Sequence, residues 1–139
     1  MNRDKLRQSL IAHEGLRLKA YLDTVGKVTI GYGRNLTDIG ITQDEADAML
    51  EHDIDMAVLA LVNALPWVQD VDDVRFNVLA EMAFNLGCAG LRGFTQFLAS
   101  VKSGDYVSAS RHMLASKWAA QVGNRAVRLA KRMESGAWM

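Results

Sequence analysis

The chain has 139 residues, half of them hydrophobic, and its 16 basic and 16 acidic side chains cancel to a formal net charge of zero. This length and composition predict one folded domain with a real core and exclude a disordered or fibrous chain. The single cysteine, Cys88, excludes an intramolecular disulfide, and no stretch approaches the roughly 20 apolar residues needed to cross a bilayer.

The first residues, MNRDKLRQSL, contain no continuous apolar run, so no signal peptide is expected. Asn2 is placed to cap a first helix and Gly15 to end it. Leu6, Leu10 and Glu14 recur every fourth residue, which predicts one shared stripe facing the core. After Gly15 the pattern changes to alternation in LRLKAYLD and to a β-branched and aromatic run in KVTIGYG. With Thr24, Val25 and Gly26 as the turn, these predict a β-hairpin, with a third strand near Tyr32–Leu36.

TQDE at Thr42–Glu45 is a capping box. It opens an apolar pattern of Met49, Leu50, Ile54, Ala57, Val58, Leu61, Val62 and Leu65 that runs to Pro66, the only proline. Such a helix is about 36 Å long at 1.5 Å per residue, enough to bridge two lobes. DDVRFNVLAEMAFNLG predicts a helix with an acidic cap, ending at Gly87. Further helices are expected near Phe94–Lys102, Tyr106–Ser116 and Asn124–Glu134, and Trp67, Trp118 and Trp138 read as core residues. The expected class is α+β and predominantly α-helical. The single domain, 1–139, would have a small β-containing lobe over about 15–48 and a helical lobe from about 1–14 and 54–139.

The charges are unevenly placed. From Asp38 to Glu81 there are eleven acids and one base, Arg75, whereas from Arg111 onward there are six bases and one acid, Glu134. Two readings stay open, a pair of solvated helix faces or a basic lobe that meets an anionic polymer. His13, His52 and His112 lack metal-ligand spacing, and GYG does not fit the dinucleotide fingerprint, so no metal or cofactor is expected. Cys88 has no evident base beside it, and the basic C-terminal helix carries no nucleic-acid-binding motif.

Chemistry concentrates near the N-terminus. Glu14 falls in the last turn of the first helix, on its apolar stripe. Burial and the negative end of the helix dipole would both favour the protonated carboxyl, which suits a general acid. An ordinary last-turn glutamate pointing at water is the alternative. Asp23 lies nine residues on, at the hairpin turn, and Thr29 six further, on the returning strand. Two carboxylates in different surroundings are the basic equipment of glycoside hydrolysis, and a neighbouring hydroxyl can help hold the attacking water. Turn propensity for Asp23 and strand propensity for Thr29 are the plainer readings.

The stretch HEGLRLKAYLDTVGKVTIGYG closely resembles the active-site segment of the phage-type lysozymes, glycoside hydrolase family 24. ITQDEADAMLEHDID resembles the start of that family's interlobe helix, AFNLGCAGLRGFTQFL its cleft-lining helix and turn, and SKWAAQVGNRAVRLAKRMESGAW its C-terminal segment. The resemblance implies a lysozyme-like two-lobed fold with Glu14, Asp23 and Thr29 as the catalytic residues. It also implies that Arg125, in NRA, accompanies the glutamate. Sugar contacts would come from Asn35, Phe84, Asn85, Phe97 and His112, although sequence logic alone reads Phe84 and Phe97 as core. The family usually has a histidine after its GYG-like segment, where this chain has Arg34. Asp53, on the apolar stripe of the long helix, would need a cation, and Arg34 is the expected partner by family analogy.

As a member of that family the protein would be an endolysin acting on peptidoglycan glycan strands. It would be a monomer made in a host bacterial cytoplasm, without stable membrane insertion, and released with help from a holin. The chain is shorter than the T-even member, chiefly between Leu36 and Ile41, which predicts a reduced small lobe, and it is neutral where many relatives are basic. Two other functions fit the same resemblance, a chitinase-like glycosidase and a non-catalytic wall-binding or tail-associated module.

Overall fold

In the computed structural model of residues 1–139, Asn2 opens the first helix by accepting a hydrogen bond from the Lys5 amide at 3.0 Å. Helix α1 (Arg3–Glu14) runs until Gly15, at φ 70°, turns the chain away. Three antiparallel strands follow in the order β1 (Arg17–Leu22), β2 (Val28–Gly31) and β3 (Arg34–Asn35). Tyr21 pairs with Thr29 and Leu22 with Val28, and the register shifts between Arg17 and Tyr21. Helix α2 (Gln43–Ala64) starts on the expected capping box. Glu45 N–H donates to Thr42 Oγ1 at 3.2 Å while Thr42 N–H donates to Glu45 Oε1 at 3.0 Å, satisfying two otherwise unpaired helix-start groups.

The chain divides into two compact units, Met1–Met49 and Leu50–Met139, with the boundary inside α2. α1 falls in the first unit with the strands, where the sequence expectation grouped it with the helical lobe. The second unit continues with a 3₁₀ turn at Pro66–Asp70 and then α3 (Asp73–Arg92). Gly87, at φ 76° and ψ 156°, interrupts α3 where the sequence predicts an end. After it come α4 (Thr95–Ser103), α5 (Tyr106–Leu114), α6 (Lys117–Val122) and α7 (Asn124–Ser135). No helix is long and apolar enough to cross a membrane. α6 was not foreseen. The helix expected near Tyr106–Ser116 stops at Leu114, and the Ser116 hydroxyl accepts the Ala119 amide at 3.1 Å and so starts a new helix.

The core belongs to the second unit and is built from Leu61, Val78, Leu79, Met82, Leu91, Phe97, Met113, Leu129 and Met133 with smaller residues between them. Trp118 joins it and Trp67 packs at its margin, but Trp138, past the end of α7, is exposed. Helical spacing proved a guide to shared faces and not to what covers them. α1 has no buried residue, Leu6 and Leu10 are each 47 % exposed, and only Leu61 of the long α2 stripe is buried.

Arg75 fastens the two ends of the second unit's helical run. Its Nε donates to the Met133 carbonyl at 2.6 Å, and its terminal nitrogens reach the Glu134 carbonyl at 2.8 Å and Asp72 Oδ2 at 3.0 Å. Its guanidinium also stacks 3.5 Å from the Tyr106 ring centroid. Arg75→Met keeps the aliphatic stem but leaves the last α7 carbonyls without their donor. The expected loss is about 2–4 kcal/mol in urea unfolding. A loss under about 0.5 kcal/mol, within the range of ordinary surface changes, would mean that these contacts do not support the fold.

Candidate active site

The turn between β1 and β2 is organised by Asp23. Its Oδ1 accepts the backbone amides of Val25 at 2.9 Å and Lys27 at 2.8 Å, and its own amide donates to the Lys27 carbonyl at 2.9 Å. The Thr29 hydroxyl donates to that same carbonyl at 2.9 Å. The backbone of one residue, Lys27, therefore joins Asp23 to Thr29, which is buried on β2. Oδ1 is held by the turn, so Oδ2 is the oxygen left to engage a water. The Thr29 proton is committed to a carbonyl, so its oxygen is left to act as an acceptor. Lys27 also extends the network outward. Its Nζ lies 3.2 Å from Asp38 Oδ1, and Asp38 in turn exchanges hydrogen bonds with the Asn35 side chain. Sequence reasoning missed Lys27 because its part is played mainly by its backbone. The five-residue spacing of a tight turn closed by Asp23 was the available signal.

Glu14, the last residue of α1, is exposed, so the burial expected for it is absent. Its carboxyl lies over Gly33, whose φ is 78°. A Cβ built on Gly33 would stand 2.7 Å from Glu14 Oε2. Glu14 lines a groove of about 720 Å³ within the first unit, between the α1 side chains Leu6, Leu10 and Ile11 and the side chains of Tyr32, in the β2–β3 link, and Arg34, at the start of β3.

Arg34 does not take Asp53 as its partner. It forms a two-pronged pair with Glu45, NH1 to Oε1 at 2.9 Å and NH2 to Oε2 at 2.8 Å, and NH1 also donates to the Gly40 carbonyl at 3.1 Å. Glu45 wins because the capping box already fixes its carboxylate at the start of α2. Asp53 is an exposed residue of the second unit. The Arg34 hydrogen bonds, with help from Thr42, lower the Glu45 carboxyl from 4.5 to about 2, and the same hydrogen bonds raise the Arg34 guanidinium. A carboxylate depressed on folding contributes stability that is full above 4.5 and is lost as pH falls through that value towards 2. The stability gap between the wild type and Glu45→Gln should therefore be flat near neutral pH and close progressively over that acid window, as read by thermal melts across pH. A gap that does not change with pH would contradict the pairing.

The remaining expected site residues lie in the second unit. Arg125 Nε donates to Glu81 Oε1 at 3.0 Å. Asn85 Oδ1 accepts the Trp118 indole N–H at 2.8 Å, so that oxygen is already committed. Phe84 is 44 % exposed and accessible to a ligand, and His112 is half-buried beside a small cavity of about 230 Å³. Phe97 is different. It is 1 % exposed and stacks edge-on against Phe94 with centroids 6.3 Å apart, so it is a core residue and not a sugar-contacting surface.

The profile described as Phage lysozyme matches residues 11–135, nearly the whole sequence. The chain belongs to the phage lysozyme family. An endolysin of Acyrthosiphon pisum secondary endosymbiont phage 1 is 36 % identical over 113 residues, 76 % of this chain and 71 % of that protein. The pre-baseplate central spike protein Gp5 of Enterobacteria phage T4 is 31 % identical over 144 residues, 84 % of this chain but 25 % of the spike protein. The probable T4-type lysozyme 1 of Dictyostelium discoideum is 25 % identical and is covered over 89 % of its length. Membership of the phage lysozyme family supports a lysozyme-type glycosidase, and it agrees with the α+β, mostly helical architecture.

Proposed function

We propose that this phage lysozyme hydrolyses the β-1,4 bond between N-acetylmuramic acid and N-acetylglucosamine, with inversion, and serves host cell lysis. The observation that carries the reading is the Asp23–Lys27–Thr29 unit, which ties one carboxylate and one hydroxyl together on the hairpin while Glu14 is held separately on a helix end. Glu14 protonates the leaving oxygen. Asp23 Oδ2 and the Thr29 oxygen hold a water on the opposite face of the sugar, and the carboxylate takes its proton as it attacks the anomeric carbon. Asn35, Phe84, Asn85 and His112 contact the sugars. The protein acts as a monomer without metal or cofactor. It is made in a host cytoplasm and reaches the wall through a lesion opened by a holin.

Purified protein should clear a suspension of peptidoglycan and release muropeptides with muramic acid at the new reducing end. Faster release from chitin than from peptidoglycan would overturn the choice of polymer. The similarity to the spike protein Gp5 favours one second reading, a tail-associated module on the same fold. Sedimentation with walls but no new reducing ends would select a non-catalytic form of it.

A further inference from the structure

We propose that Gly33 is a positioning residue for the Glu14 carboxyl, and this rests on Glu14 being the general acid. Three side-chain atoms of Glu14 lie over the Cα of Gly33. A Cβ there would stand 2.7 Å from Oε2, closer than real Cβ atoms come, with Cδ tight against it at 3.0 Å and Cγ in contact at 3.4 Å. The residue that yields is decided by what holds each side. Gly33 sits in the two-residue link between β2 and β3, with both strands hydrogen-bonded into the sheet. The Glu14 carboxyl is the free end of a flexible, exposed side chain. A methyl group at position 33 therefore displaces the acid and leaves the sheet in place. The lack of a side chain at Gly33 sets where the proton donor stands relative to the hairpin that holds Asp23 and Thr29.

The chain supplies its own control two residues away. Gly31 has nearly the same left-handed backbone, φ 69° against 78°, but a Cβ built on it meets nothing within 4 Å. Alanine is strained at both positions, yet only at position 33 does it touch Glu14. Gly33→Ala should lower kcat about 10²-fold more than Gly31→Ala, because a misplacement of about 1 Å is enough for such a loss, while KM changes alike in both. The pH profile of kcat should shift on the limb that reports the acid in Gly33→Ala and stay unshifted in Gly31→Ala.

The contact also predicts non-additivity. Glu14→Asp draws the carboxyl back by one methylene, so it should cost much less activity in the Gly33→Ala background than in the wild type. If the alanine variants do not fold, Gly33→Asn and Gly31→Asn make the same comparison, since asparagine tolerates the left-handed region. Equal kcat losses at positions 31 and 33, together with additive costs of Glu14→Asp, would overturn the positioning role while Glu14→Gln remains inactive. Full activity in Glu14→Gln would instead overturn the assignment of the acid itself.

Discussion

Glu14→Gln should fold normally and fail to turn over. Glutamine keeps the size and shape of glutamate but has no proton to give to the leaving oxygen, and a positioned general acid contributes about 10²–10⁴-fold in rate. The loss should appear in kcat, because the amide can still contact the sugar, and binding to walls should persist in sedimentation. Glu14 is exposed and lies at the C-terminal end of α1, where a negative charge opposes the helix dipole. The melting temperature should therefore stay unchanged or rise slightly. A variant with a clearly lowered melting temperature would mean that the carboxylate supports the fold. A variant that clears walls at the wild-type rate would remove Glu14 from the chemistry.

Phe97→Ala should do the reverse, with a large effect on stability and a small one on turnover per folded molecule. Phe97 is among the largest fully buried side chains, and its ring packs edge-on against Phe94, which meets Trp118 in the same manner at 6.5 Å. Truncating it removes a transfer contribution and opens a cavity that these neighbours cannot fill, at an expected cost of about 3–5 kcal/mol in chemical unfolding. At a temperature where the variant is still folded, KM should match that of the wild type. A stable variant with a raised KM would restore the sugar-contacting role that the family resemblance implied.

What the sequence showed, and what it hid, follows from the range of the interactions. The Asn2 cap, the stop at Gly15, the hairpin and the Thr42–Glu45 capping box all depend on residues within a few positions of one another, and each is present in the structure. The pattern of Glu14, Asp23 and Thr29 was legible for the same reason, since it lies on one short segment. Lys27 was not, because a backbone amide and carbonyl leave no mark on residue type.

Stripe position marks Asp53 as needing a cation, and family analogy supplies Arg34 for it. The capping box already contained the better answer, because a glutamate fixed by Thr42 presents both oxygens without a further loss of freedom. The burial of Glu14 and of the first half of the α2 stripe failed on a longer range. Periodicity shows that Leu6, Leu10 and Glu14 share a face, but cover has to come from another element, and no local pattern records it.

The anomeric configuration of the first product, followed by proton NMR during digestion of β-linked peptidoglycan strands, tests the proposed chemistry most directly. With Asp23 and Thr29 holding a water opposite the leaving group, the new muramic acid reducing end should appear first as the α-anomer and reach the equilibrium mixture only afterwards. First appearance of the β-anomer would show retention through two displacements and would contradict Asp23 as the residue that directs the water.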